Sequence, residues 1–274
     1  MENKTNLVIL TLLQKIYGYR KEHTHRILND VFESLNSTLD VEISLIGKNT
    51  RNWIRVEVVG DDTKVVVNYL SRKFGLNLGL KEIRKPVVLT GKIVDSCKVG
   101  YGLYVDTGFY ASRPIDSLVP LYKLRSHLAD GRKLSLRKII DAFCLYDNFP
   151  VSIRITEIDL EQEKLLAEPS DEQIKIFRNW ISTKIERVII LGAHLEHITF
   201  ALKKTGFKHN ILKIEEIGLL EYVLLCKLGT NTSKVMRALN RHLQDVSMYV
   251  FSPEKITKII GAELPLIINS HPYW

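Results

Sequence analysis

The sequence predicts an α+β protein in which a β-rich centre lies between two segments of alternating strands and helices. Three observations carry that reading. Runs with period-two hydrophobicity recur along the whole chain. Apolar residues at helical spacing alternate with them in the outer thirds. Gly, Pro and Asp punctuate the middle third, as they do between short strands. At 274 residues the chain is long enough for two or three small domains, each with its own core.

Residues 1–86 open with "NLVILTLLQKIYG", a strand candidate that lacks the basic start and small-residue cleavage site of a signal peptide. "HTHRILNDVFESLN" follows, with Ile27, Leu28, Val31, Phe32 and Leu35 at helical spacing. "VEISLIG" and "WIRVEVVG" alternate as paired strands around "KNTRN". "DDTKVVVNYLSRKFG" reads as a helix, with Asp62 or Thr63 as N-cap and Gly75 as the stop. Residues 171–274 repeat this order. "SDEQIKIFRNWI" (170–181) is a connecting helix with a capping-box start, Ser170 and Gln173. Then come "ERVIILG", "AHLEHITFALKKTG", "NILKIEEIG", "EYVLLCKLG", "TNTSKVMRALNRHL" and "VSMYVFS". Strand-helix-strand-strand-helix-strand is the ferredoxin-like order. "VVGDDT" (58–63) and "KLGTNT" (227–232) stand at the same place in the two segments, which makes the first segment a relative of the third.

Residues 87–170 differ. "PVVLTGKIVDSC", "GLYVDTGF", "DSLVPLYKL" and "FPVSIRITEIDLEQEKLLAEP" are strands, and a basic helical insertion runs from about Ser126 to Leu145. The pattern Gly91, Ile93, Gly100, Tyr101, Gly102, Leu103, Tyr104, Val105, Asp106 resembles the S-one-type RNA-binding domain, an OB-type barrel repeated in a bacterial small-subunit ribosomal protein. Leu118 and Val119 fit its next element, as do the Ile158–Asp159 turn and the Leu165–Leu166 return. Pro120 stands where that pattern has a histidine. The whole chain, with "LLEYVLLCKLGT" and "VFSPEKI" near its end, resembles an archaeal protein family of unknown function with such a barrel between two ferredoxin-like domains. The resemblance implies an architecture and no activity.

The net charge is +8. The outer segments carry +4 each and the middle is balanced, but "LYKLRSHLADGRKLSLRK" (121–138) holds six cations against one Asp. A local cation cluster beside a barrel of this type points to a polyanion. The candidate RNA-binding residues are therefore Tyr101, Tyr104, Phe109 and Tyr110 as stacking rings, and Lys123, Arg125, Arg132, Lys133, Arg137 and Lys138 as phosphate contacts. Strand alternation sends some of those rings inward.

Other chemistries have less behind them. Cys97, Cys144 and Cys226 are scattered, with no CxxC pair and an odd count, which fits a reducing cytoplasm. His194 and His197 share one helix face and could take a metal with Glu196 or His209, but HExxH is absent; the "HTH" at 23–25 is weaker still. Val105 stands where a GxGxxG site needs its third glycine, and no paired carboxylates or GxSxG stretch appears. No apolar run is long enough to span a bilayer. The terminal "AELPLIINSHPYW" is apolar without a period and is expected to dock on the protein, with binding of a partner as the alternative. The expectation is a non-enzymatic RNA-binding protein without cofactor, in translation, ribosome function or RNA processing. A possible protein partner would use the ferredoxin-like domains. The alternatives are a protein-interaction scaffold whose barrel no longer binds RNA and, more remotely, a metal-dependent hydrolase at His194 and His197.

Overall fold

The structure is a computed structural model and describes residues 7–15, 28–29, 32–33, 35–49, 51–79, 87–110, 113–243 and 245–260. The "HTH" at 23–25 and the terminal "AELPLIINSHPYW" lie outside the described residues.

In the centre, β5 (Val87–Val94), β6 (Gly102–Tyr110), β7 (Pro114–Pro120), β8 (Pro150–Asp159) and β9 (Lys164–Pro169) form a barrel. It closes through the pairs β5–β6, β6–β7, β7–β9, β9–β8 and β8–β5, of which only β7–β9 is parallel. This is the OB-type order. Inward residues alternate along the strands, so Ile93, Leu103, Val105, Ile115, Val119, Ile153 and Leu165 are buried while Tyr104, Asp116 and Leu118 lie on the outer face. At Gly91 an added Cβ would meet the Asp106 carbonyl oxygen at 2.5 Å, so close strand approach in the barrel requires glycine there.

The strand expected from "DSLVPLYKL" stops at Pro120, which has no N–H to continue a ladder. The basic insertion is two short helices, α2 (Leu121–Leu128) and α3 (Leu136–Phe143), rather than one. Asp130 and Gly131 between them adopt positive φ, which ends α2 and turns the chain. Both helices place Leu124, Leu128, Ile139, Ile140 and Phe143 in the core cluster that fills the barrel.

The C-terminal domain is the sheet β11 (Ile211–Gly218), β12 (Glu221–Cys226), β10 (Arg187–Leu191), β13 (Ser247–Phe251), antiparallel throughout. With α5 (Leu195–Lys204) and α6 (Thr232–Asn240) its order is ferredoxin-like. One sheet face packs on those helices through Val188, Ile190 and Leu224. The other carries Ile189, Leu191, Val223 and Phe251 into the same core as the barrel, with α4 (Asp171–Ser182) and α7 (Pro253–Ile260). Phe143, Phe177, Trp180 and Phe251 join these parts ring against ring. Burying each such side chain contributes about 1.5–3 kcal/mol. The capping box on α4 is half formed. Ser170 Oγ accepts from Gln173 N, but Gln173 Oε1 accepts from Ser152 N across on β8.

The N-terminal domain has β1 (Leu7–Lys15), β2 (Val41–Lys48) and β3 (Trp53–Gly60) in the order β1-β3-β2, with α1 (Thr63–Phe74) and a helical stretch at Leu28, Phe32 and Leu35. Its fourth strand is a stub. Leu13 N donates to Gly75 O and Asn77 N donates to Thr11 O along β1, and then β4 (Leu78–Gly79) crosses to pair with Phe109 and Tyr110 of the barrel. Gly75 does end α1, as its positive φ allows. Among the described residues no helix is long and apolar enough to cross a membrane.

Candidate nucleic-acid interface

The outer face of β6 and β7 is where OB-type barrels bind nucleic acid, and here it has two unlike halves. Toward the start of β6, Tyr101 is 56% exposed and Tyr104 half-buried. Their rings meet edge to face at 6.3 Å, and their hydroxyls share a 2.7 Å hydrogen bond. That bond, with burial, pushes the Tyr104 hydroxyl up to about 12, so this phenol is neutral at pH 7. Leu121 N donates to Tyr101 O, which ties the start of α2 to this turn. The next residue, Tyr122, is 63% exposed. Sequence reasoning passed over Tyr122 because it sits inside a basic stretch; an unexplained aromatic beside Pro120 was the available signal.

Toward the end of β6 the face is sealed by the N-terminal domain. Asp106, 1% exposed, accepts from Trp53 Nε1 at 3.0 Å and from Gly108 N at 3.0 Å, and pairs with Arg51 at 2.8 Å. Arg51 also forks onto Asp116 of β7. Lys15 lies 4.9 Å from the Trp53 ring centroid, and burial pulls its pKa down despite the nearby Asp106. On the C-terminal side, Lys92 and Glu221 form a buried ion pair at 2.7 Å, close but not aligned as a hydrogen bond.

The structure separates the predicted ligand residues. Phe109 is a correction: it shares the inward parity of Leu103 and Val105 along β6, so its ring lies 2% exposed in the core and cannot stack a base. Tyr110 is 51% exposed, but at the opposite end of β6 from Tyr101. Lys123 pairs with Glu168 at 2.7 Å, and Glu168 also accepts from Arg154 at 3.1 Å and lies 3.4 Å from His127. The Lys123 bond holds the Glu168 carboxyl below the ordinary carboxylate range. Arg125 Nε donates to Leu134 O and so braces the loop between α2 and α3. Arg132, Lys133, Arg137 and Lys138 are exposed on that loop and on α3. No carboxylate among the described residues lies within ion-pair distance of Lys133, Arg137 or Lys138.

A cleft of about 360 Å³ separates the 95–100 turn from the insertion, bounded by Val99, Gly100, Arg125, Ser135 and Arg137. Tyr101 follows directly on its wall. Ser135 Oγ caps α3 by accepting from Lys138 N, so the helix opens beside two arginines. Two arginines line this cleft.

His194 occupies the N-cap of α5, with Nδ1 3.8 Å from Glu196, and its ring meets that of His197 edge to face. Among the described residues no three His, Cys, Asp or Glu side chains cluster so as to hold a metal ion.

Three family profiles match in order along the chain: the DUF2110 N-terminal domain over 9–77, the DUF2110 central domain over 85–181 and the DUF2110 C-terminal domain over 185–250. The chain belongs to the DUF2110 family. The central DUF2110 match contains the barrel, its insertion and most of α4. No curated protein matches the sequence. Among solved structures, a chain of the a/eIF2alpha–aDim2p–rRNA complex from Pyrococcus horikoshii OT3 is similar at 12% identity and a TM-score of 0.24, over 45% of this chain and 64% of that one. The match covers less than two thirds of that chain, and at this TM-score it carries no argument.

Proposed function

We propose that this protein binds single-stranded RNA, without enzymatic activity, through the open half of the β6–β7 face and the adjoining helical insertion. The observation that carries the reading is the exposed Tyr101 beside a cleft flanked by Arg125 and Arg137. Stacking on an aromatic ring contributes about 1–3 kcal/mol per base and tolerates any base. Tyr122 extends the aromatic edge. Arg132, Lys133, Arg137 and Lys138 supply phosphate contacts, whereas Lys123 and Arg125 hold the scaffold in place. The barrel's sequence pattern suggests a setting in translation or RNA processing.

Four phosphate contacts on a single strand give a slope of log affinity against log salt of about −3, at roughly 0.7 per contact. The test is fluorescence anisotropy with a labelled oligouridylate over a salt series. Lys133→Ala/Arg137→Ala makes the slope shallower by about 1.4. An unchanged slope removes the insertion from the interface.

A further inference from the structure

The sealed half of the barrel face ends in a second cleft that the reading above does not use. It has a volume of about 640 Å³ and lies where the β2–β3 hairpin of the N-terminal domain meets the end of β6. Tyr110 and Pro114 form the barrel wall, and Lys48, Asn49 and Arg55 form the opposite one, with Asn77 between.

The chemistry of these walls is specific. Tyr110 presents a half-exposed ring. Arg55 is exposed and has no carboxylate within ion-pair distance among the described residues, whereas Arg51 beside it is neutralised by Asp106 and Asp116. Lys48 donates to the Asn52 carboxamide, which orients it without cancelling its charge. Asn49 Oδ1 accepts from the backbone N–H of Arg51 and of Trp53, so the group is fixed and its NH₂ remains a donor. An aromatic face, two cations and a fixed amide donor suit a ligand with a planar ring and a phosphate.

Two features bind this cleft to the first one. Both lie along β6 and the residue before it: Tyr101 and Tyr110 are nine residues apart, no more than roughly 30 Å at about 3.3 Å per residue. The stretch between them carries Arg51, whose single charge is shared between Asp106 and Asp116, with the Lys15 ammonium close to Asp106.

We propose that the cleft is a second RNA subsite, built jointly by the barrel and the N-terminal domain, in which Tyr110 stacks a base and Arg55 and Lys48 contact phosphate. The proposal rests on the RNA-binding reading above. It gives the N-terminal domain a direct share in the ligand.

The test uses the full chain and an oligouridylate of about 16 nucleotides, the upper site size of an OB fold. Wild type, Arg55→Gln/Tyr110→Ala and Tyr101→Ala are compared across a salt series, with thermal melts to confirm that each is folded. The cleft variant is expected to bind at least tenfold more weakly, with a slope shallower by about 0.7 for the lost phosphate contact. Arg55→Gln alone, which changes only an exposed head group, is expected to show the slope change by itself. Unchanged affinity and slope in the cleft variant, with weaker binding by Tyr101→Ala, overturns the second subsite and leaves the first standing. Weakening by the cleft variant alone supports the cleft and removes the Tyr101 end. Failure of wild type to bind overturns both.

Discussion

Gly102 to Tyr104 and Asp106 to Tyr110 belong to one strand, yet their outer faces meet different surroundings. In the first half the ring of Tyr101 leans on Tyr104 and is otherwise open to solvent. In the second half a carboxylate is wholly buried because another domain brings it an indole N–H and a guanidinium, and Gly108 of its own strand adds a backbone N–H. Burying an ionised carboxylate is costly unless it is paired and hydrogen-bonded. The Asp of the barrel pattern therefore serves as a dock for the N-terminal domain, while the tyrosines of the same pattern remain available. A single motif thus splits into a part buried against another domain and a part left open to solvent.

The largest effect expected from breaking this division is on the sealed half. Arg51→Ala strands Asp106 and Asp116 together and should destabilise the protein by about 2–3 kcal/mol, less than the full penalty for a buried pair because Arg51 is partly exposed. Urea unfolding measures it, and a change below about 0.5 kcal/mol would show that the dock is not held by charge. Trp53→Phe keeps the ring but removes the 3.0 Å bond to Asp106, for an expected cost of about 1–2 kcal/mol.

Glu168, at the edge of the open half, gives a pH signature. Its folded pKa lies below the ordinary value of 4.5, so it stabilises the fold above that pH, and the contribution is lost as pH falls through the lowered folded value. Glu168→Gln should cost about 1 kcal/mol at pH 7. It should also flatten stability against pH below about 4.5, as read from unfolding midpoints in a pH series. The smallest effect on stability is expected at Tyr101→Ala, within about 0.5 kcal/mol by thermal or urea unfolding, because an exposed ring loses little.

Much of the fold was legible. The C-terminal order was readable because its strands and helices keep clean periods and are separated by Gly206, Gly218 and Gly229. The barrel was readable because Gly91 and Gly102 mark positions where neighbouring backbone leaves no room for a side chain. The stub of a fourth N-terminal strand was not, since Gly75 to Gly79 is too short for a period and changes partners midway. Of the candidate site, Tyr101, Arg132, Lys133, Arg137 and Lys138 are exposed and Tyr104 is half-buried. Phe109 failed because it shares the inward parity of Leu103 and Val105 along β6, and plain alternation therefore sends its ring into the core. The Lys123–Glu168 pair went unforeseen because Glu168 lies 45 residues away, and no local pattern reveals such a pairing. Arg51 and Trp53 went unnoticed for the same reason: what makes them matter is a contact between domains.

The measurement that tests the central claim most directly is oligouridylate binding by anisotropy at low and high salt, comparing wild type with Tyr101→Ala/Tyr104→Ala. The open half as an RNA platform predicts salt-dependent binding by wild type and at least tenfold weaker binding by the variant at every salt, from about 1–3 kcal/mol per stacked base. Equal binding by the two proteins, or none by wild type at low salt, would contradict it.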